Sequence, residues 1–140
     1  TLPVLIDVVS KLEETFSGIM TLQPTSPLRN EHHINEAIDL FKSDNDADSL
    51  VSVVQVNHGF MPNKLMTFDG KYLSGKSTIN RRQDSPLMYA RNGAAIYITK
   101  TEKLNEFIFG GNIFPYFMSK IDSFDLYDMD DWQILERIIE

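Results

Sequence analysis

Two clusters of polar residues in this sequence have the side chains needed to bind a charged or polar ligand. The first cluster, 23–30, contains the amide of Gln23 and the guanidinium of Arg29, with two prolines between them. The second, 122–131, contains five aspartates. An amide can both donate and accept hydrogen bonds, and a guanidinium pairs with carboxylate or phosphate. For the last three aspartates a structural role is also open, because negative charge is favourable where a helix begins.

A basic island between His58 and Arg91 adds a third candidate site. It contains six Lys or Arg residues and two aspartates, in a chain of net charge −7. Such a small positive patch on an acidic protein suits a compact anion, a carboxylate or phosphate, better than a nucleic-acid track. A solvated loop with chance charges is the alternative. We expect no nucleic-acid partner.

Composition excludes several kinds of site. The 140 residues include no cysteine, so disulfides, thiolate nucleophiles and thiolate metal sites are excluded. His32 and His33 are adjacent, so they point to different sides of a helix and cannot jointly chelate a metal. We expect His33 to pack at a helix start. The sequence has no apolar run of about 20 residues, so we expect no membrane partner.

Hydrophobic periodicity and Pro/Gly positions predict alternating helices and strands that position these clusters. Apolar spacing predicts a helix over 3–16, and a short apolar run predicts a strand over 18–23. The other predicted helices and strands are a helix capped by Asn30, strands at 50–56, 94–99, 114–118 and 123–127, a short helix near Thr101, and a final helix capped by Asp128 or Asp130 that buries Trp132, Leu135, Ile138 and Ile139.

The α-β-α-β order favours a single α/β domain with a largely parallel sheet. Asp69-Gly70 predicts a hairpin turn inside the irregular segment 57–90. Ligands of α/β proteins bind beyond the carboxyl ends of parallel strands. The clusters at 23–30 and 122–131 both follow predicted strands, so we expect them to meet.

Four stretches, in order, resemble the acylneuraminate cytidylyltransferases. The first is 22–29, which reads LQPTSPLR and precedes a helix. Residues 62–64 read PNK, and 82–98 contain RQDSP followed by NGAAIYI. Residues 118–132 contain MS, SFD and a final DW. Four matches in register span nearly the whole chain, and they look closer to the sialate branch than to the related KDO enzymes.

The resemblance implies a Rossmann-like three-layer nucleotide-diphospho-sugar transferase fold and a cytoplasmic enzyme. Such enzymes transfer CMP from CTP to a sialic-acid-like nonulosonate, with Mg²⁺ as cofactor and pyrophosphate as product. They are usually homodimers, which would make 57–90 a dimerisation and sugar-contacting excursion. The basic loop that holds the CTP phosphates in the family has no counterpart here. We therefore expect 1–140 to be the C-terminal part of a cytidylyltransferase domain, incomplete at its N-terminus.

The resemblance also assigns roles to single residues. Gln23, Lys64, Arg82, Asn92 and Tyr97 match substrate-binding positions, with the lysine and arginine supplied by the partner subunit. Each has a structural alternative: an amide satisfied by backbone for Gln23, a surface charge for Arg82, a tight turn for Asn92, and a core tyrosine for Tyr97. Arg29 could bind an anion or, as we favour, anchor its loop through carboxylates of the following helix.

Asp125 is the predicted catalytic and metal-binding residue, since it matches the family's Mg²⁺-binding aspartate. An aspartate in a turn or near a helix start is the alternative. The family's second aspartate in this block is replaced by Tyr127, which is no normal ligand for a hard cation. A catalytically silent homologue, acting as a sugar-binding or assembly module, therefore remains an alternative function.

Overall fold

A computed structural model describes residues 1–75, 86–91 and 95–140. The α-helices are α1 (Leu2–Ser10), α2 (Glu31–Ser43) and α3 (Met129–Ile139). The strands are β1 (Gly18–Thr21), β2 (Ser49–Gln55), β3 (Thr67–Phe68), β4 (Leu73–Ser74), β5 (Tyr89–Arg91), β6 (Tyr97–Lys100) and β7 (Ile113–Phe117). Short 3₁₀ helices cover His58–Phe60, Pro62–Lys64 and Thr101–Lys103.

The chain forms two compact units. The first comprises Thr1–Val54 and Arg91–Glu140, and the second comprises Gln55–Ala90. In the second unit, β3 and β4 form the hairpin predicted from Asp69-Gly70, and Gly70 adopts a φ of 99° that favours glycine. The Asp69 carboxylate accepts backbone hydrogen bonds from Lys71 and Tyr72, which fix this turn and lower the pKa of Asp69.

The sheet of the first unit contains strands of both directions. β6 lies between β1 and β2 and is antiparallel to both, whereas β7 pairs with β2 in parallel. The prediction of a largely parallel sheet is therefore wrong, because β6 separates the two strands that α2 joins. β1, β2 and β7 nevertheless run in one direction, so their carboxyl ends lie at the same edge of the sheet.

The core of this unit lies on both faces of the sheet. Ala37 on α2 packs with Leu50, Ile96 and Ile98, all of which are buried. On the opposite face, Val51 and Tyr97 are covered by a cluster that includes Ile108 and Phe109. Alternate residues along β2 and β6 thus face opposite layers, as the two-residue period of a strand requires.

The N-terminus of α2 forms as the sequence predicts. The Asn30 side chain accepts a hydrogen bond from the His33 backbone N–H at 3.2 Å, and His33 Nδ1 accepts one from the Asn30 backbone N–H at 3.2 Å. This reciprocal cap satisfies two backbone donors at the helix start. It confirms that Asn30 caps the helix and that His33 packs there.

Three local predictions are wrong. The first helix ends at Ser10 rather than near 16, and no residue of α1 is buried, so no packing extends it. The segment 123–127 is irregular: the Ser123 and Phe124 N–H groups close turns, and Leu126 N–H bonds to a loop carbonyl. In α3 the cap on Asp128 is confirmed and Leu135 is buried, but Trp132, Ile138 and Ile139 are exposed.

No helix in the described part of the chain is long and apolar enough to cross a membrane.

Candidate functional site

One edge of the first unit's sheet carries several of the predicted site residues. Tyr97 begins β6 directly opposite Thr21, the residue that ends β1. Gln23 follows two residues after Thr21, so it lies just beyond the same edge. The loop that contains Asp125 follows the end of β7, which runs parallel to β1 and β2. The strand directions therefore carry both polar clusters to this edge.

A backbone hydrogen bond joins the two loops. Leu126 N–H donates to the carbonyl oxygen of Thr25 at 2.9 Å. Leu126 is the neighbour of Asp125, and Thr25 lies two residues after Gln23. The structure thus brings the clusters at 23–30 and 122–131 into direct contact.

Arg29 anchors the first loop to the sheet. Its Nη1 donates to the Gln23 carbonyl oxygen at 2.9 Å and to the Ala95 carbonyl oxygen at 2.7 Å. Burial lowers the pKa of Arg29 from its usual value. The structure supports the favoured anchor role, but the acceptors are backbone carbonyls rather than the carboxylates that we expected. Backbone carbonyls cannot be recognised as partners of an arginine from the sequence, whereas the carboxylates of Glu31 and Glu36 on the next helix can.

Gln23 itself is half-buried, and its backbone is fixed by this arginine. Among the described residues, no hydrogen bond to its side-chain amide is found. Its sugar-binding role stays a prediction.

Asp125 combines a buried oxygen with a tyrosine partner. Its Oδ1 is buried and has no hydrogen-bond partner in the described part of the chain. The Asp125 carboxylate raises the pKa of Tyr127, through hydrogen bonding to the phenol and through its negative charge. The Tyr127 side chain is otherwise open to solvent, at 82% exposure.

The buried oxygen of Asp125 is suited to bind a cation such as Mg²⁺. A buried carboxylate oxygen without a donor costs free energy unless a cation or donor satisfies it. Mg²⁺ in nucleotide sites uses one or two carboxylates and takes its other oxygens from water and phosphate. Asp125 therefore fits as one ligand. The described residues contain no group of three His, Cys, Asp or Glu that could hold a metal by themselves.

Tyr97 is a buried residue at the sheet edge from which the Gln23 loop leaves. The residue is 7% exposed, and its ring lies 5.1 Å from the Phe109 ring, centroid to centroid. Its hydroxyl accepts a hydrogen bond from Arg91 Nη1 at 3.2 Å. The geometry matches the core role that was left open.

The remaining predicted residues are not brought into this group. Lys64 ends the 3₁₀ helix Pro62–Lys64 in the second unit. Arg82 and Asn92 lie outside the described residues. Their roles stay predictions from the family resemblance.

Sequence reasoning missed Arg91 and Phe109. The Arg91 guanidinium carbon lies 4.5 Å from the centre of the Phe109 ring. Arg91 was visible only as one charge of the basic island. Phe109 carried no signal, because an aromatic residue in an apolar run is typical of a core.

A second polar network lies near the start of α2. The Tyr116 hydroxyl donates to Glu36 Oε2 at 2.7 Å. Burial is the main cause of the raised pKa of Tyr116, and the Glu36 carboxylate raises it further. His33 Nε2 lies 3.7 Å from Asp122 Oδ2, which in turn accepts from Ser119 at 2.6 Å. These contacts tie α2 to β7 and to the start of the Asp125 loop, so the network supports that loop.

Comparison with known proteins finds relatives that are named N-acylneuraminate cytidylyltransferases. An N-acylneuraminate cytidylyltransferase from Streptococcus agalactiae serotype III (strain NEM316) is 33% identical over 131 residues, which cover 90% of this chain and 31% of the relative. The enzyme of the same name from Escherichia coli O18:K1:H7 (strain RS218 / NMEC) is 30% identical over 130 residues, covering 85% and 29%. No family model matches the chain.

The chain is related in sequence to the N-acylneuraminate cytidylyltransferases. This confirms the resemblance predicted from the four motifs. The chain spans just under a third of the length of the curated relatives, 31% of the first. Its relation to the N-acylneuraminate cytidylyltransferases thus concerns one segment of those proteins.

The fold prediction is confirmed by a solved structure. CMP:2-keto-3-deoxy-manno-octonic acid synthetase, in complex with CTP, superposes with a TM-score of 0.60 over 98% of this chain and 65% of that chain. The sequence identity is 12%, so this likeness concerns the α/β nucleotide-sugar transferase fold alone.

Proposed function

We propose that the protein containing this chain is a cytidylyltransferase that transfers CMP from CTP to a sialic-acid-like nonulosonate and releases pyrophosphate. The observation that carries the proposal is the hydrogen bond from Leu126 to Thr25. It joins the loop that contains Asp125 to the Gln23 loop at the carboxyl ends of three strands. Relatedness to N-acylneuraminate cytidylyltransferases supports the same conclusion.

The arrangement suits a sugar-acid acceptor. The Gln23 amide can donate and accept hydrogen bonds with sugar hydroxyls, and Arg29 holds the loop so that this amide keeps its position. Asp125 would supply one oxygen to Mg²⁺. A bound Mg²⁺ would neutralise charge on the α-phosphate and lower the pKa of the attacking hydroxyl.

A coupled assay of pyrophosphate release tests the function. The full-length protein is incubated with CTP, Mg²⁺ and a panel of nonulosonates, and omission of the sugar acid is the control. We expect release that requires both the sugar acid and CTP. Absence of release with every sugar acid would refute the enzymatic proposal.

We further propose that the protein is a homodimer whose contact includes the second unit. That unit, Gln55–Ala90, is short but exposes many large apolar side chains. They are Phe60, Leu65, Met66, Phe68, Tyr72, Leu73, Leu87 and Tyr89. Exposed apolar surface of this density is typical of protein interfaces. Sedimentation should give the mass of a dimer at micromolar concentration; a monomer at that concentration contradicts the proposal.

A catalytically silent sugar-binding module is the second candidate, and one observation favours it. Tyr127 stands where the family has a second aspartate. This removes one anionic ligand from the site. Variants of Tyr127 test how this residue affects Mg²⁺ binding.

Replacing Tyr127 with aspartate should tighten Mg²⁺ binding by roughly 10-fold, because it adds a second carboxylate to the site. Replacing it with phenylalanine should leave the fold intact, since the side chain is exposed. Mg²⁺ affinity is measured by titration calorimetry in the presence of CTP. The same Mg²⁺ affinity in wild type and Tyr127→Asp would contradict a metal site at Asp125.

A further inference from the structure

We propose that Arg91 is a further substrate-binding residue of this site and that its guanidinium binds an anionic oxygen group of a substrate. The identity of the anion rests on the proposed function, in which both substrates are anionic. Arg91 is not one of the positions that the family resemblance assigns. The inference comes from its contacts in the first unit.

The Arg91 guanidinium is held in place by two aromatic residues. Its central carbon lies 4.5 Å from the centre of the Phe109 ring, and its Nη1 donates to the Tyr97 hydroxyl at 3.2 Å. Tyr97 and Phe109 contact each other through their rings and belong to the same apolar cluster. The guanidinium therefore has a fixed support and a fixed rotation, which reduces the entropy lost when it binds a ligand.

The charge of Arg91 is not neutralised within the described part of the chain. No carboxylate there lies within ion-pair distance of its nitrogens, although the first unit is rich in aspartate and glutamate. Arg91 is exposed, and a guanidinium has five N–H donors of which the Tyr97 hydroxyl takes one. The donors that no described residue engages can form the paired hydrogen bonds that carboxylate and phosphate groups accept.

The contacts of Tyr97 place Arg91 in the site described above. Arg91 bonds to the Tyr97 hydroxyl, and Tyr97 pairs with Thr21, which lies two residues before Gln23. The Asp125 loop is joined to the same loop through the bond from Leu126 to Thr25. An anionic substrate that approaches Asp125 is repelled by that carboxylate. A cation held at this edge of the sheet offsets the repulsion and orients the anion.

Two substrate groups have the required chemistry: the carboxylate of the sugar acid and a phosphate of CTP. Both present at least two anionic oxygens that a guanidinium can bind with two hydrogen bonds. Separate titrations with the two ligands distinguish them.

The test uses the full-length protein and the variants Arg91→Gln and Arg91→Lys. Arg137→Gln is the matched control, because it removes the same charge from an exposed position on α3. Binding of N-acetylneuraminate and of CTP is measured separately by titration calorimetry, and KM and kcat are measured by pyrophosphate release. Near-ultraviolet circular dichroism checks that the aromatic cluster keeps its packing.

We expect Arg91→Gln to raise the Kd of one ligand by at least about 10-fold and to leave the Kd of the other ligand unchanged. The control Arg137→Gln should bind both ligands as the wild type does. Arg91→Lys should restore part of the affinity, because a point charge remains while the paired geometry is lost. Weaker sugar-acid binding identifies the carboxylate as the bound group, and weaker CTP binding identifies the phosphate.

The proposal is overturned if Arg91→Gln binds both ligands as the wild type does, or if the wild type binds neither. It is also overturned if both Arg91 variants lose the aromatic dichroism signal and bind alike, since Arg91 would then only support packing. Failure of the proposed function is distinguishable: the wild type would bind the sugar acid or CTP, with Arg91 dependence, and release no pyrophosphate.

Discussion

Replacing Asp125 with alanine should lower kcat for pyrophosphate release by about 10²–10³-fold, the usual cost of removing one group that stabilises transition-state charge. Asp125 belongs to the loop that is bonded to the Gln23 loop, and its buried oxygen has no partner among the described residues. If Mg²⁺ uses this oxygen, its loss reduces both metal affinity and charge neutralisation at the phosphate. Initial rates at saturating CTP and a range of Mg²⁺ concentrations measure the effect.

Two further variants separate a metal ligand from a structural aspartate. Asp125→Asn keeps an oxygen that can accept from the Tyr127 hydroxyl but removes the charge. A metal ligand predicts that it loses nearly as much activity as the alanine variant, whereas a turn aspartate predicts nearly full activity. Asp130→Ala, in the first turn of α3, removes a nearby charge and should change kcat less than twofold. Wild-type turnover in Asp125→Ala would exclude the metal role.

The position of the site could be predicted from the sequence because it depends on strand direction. Two polar clusters follow β1 and β7, and strands that run the same way end at one edge. That holds even though β6 is antiparallel and the sheet is not largely parallel. Connectivity therefore placed the 23–30 and 122–131 loops correctly, although the strand pairing was predicted wrongly.

The contacts within the site could not be predicted, because they depend on side-chain packing between distant segments. Arg29 reaches the carbonyl of Ala95, 66 positions away, and Arg91 stacks on Phe109. Neither acceptor has a sequence signature. The helices show the same limit: the periodicity of 3–16 predicts one continuous helix, yet α1 ends at Ser10 without a buried residue. Local propensity sets the type of element, and tertiary contacts set its length.

Loss of Arg29 should destabilise the first unit, because its guanidinium joins a loop to the sheet. Arg29→Met removes two hydrogen bonds from a charged donor to the carbonyl oxygens of Gln23 and Ala95, at 2.9 and 2.7 Å. Such bonds contribute about 1.5–3 kcal/mol each, and the half-buried position reduces the total, so we expect the free energy of unfolding to fall by about 2–4 kcal/mol. Urea denaturation measures this change.

The functional consequence of losing Arg29 should fall on the sugar acid. The loop it anchors carries the Gln23 amide, so Arg29→Met should raise KM for the sugar acid while kcat at saturation changes less. Arg29→Lys should recover part of the stability, because an ammonium can donate to one carbonyl but lacks the reach of the guanidinium fork. Arg137→Met, exposed on α3, is the control and should change stability by less than about 0.5 kcal/mol. Equal stability of Arg29→Met and Arg137→Met would show that the anchor contributes nothing, and the loop would then be held by the bond between Thr25 and Leu126.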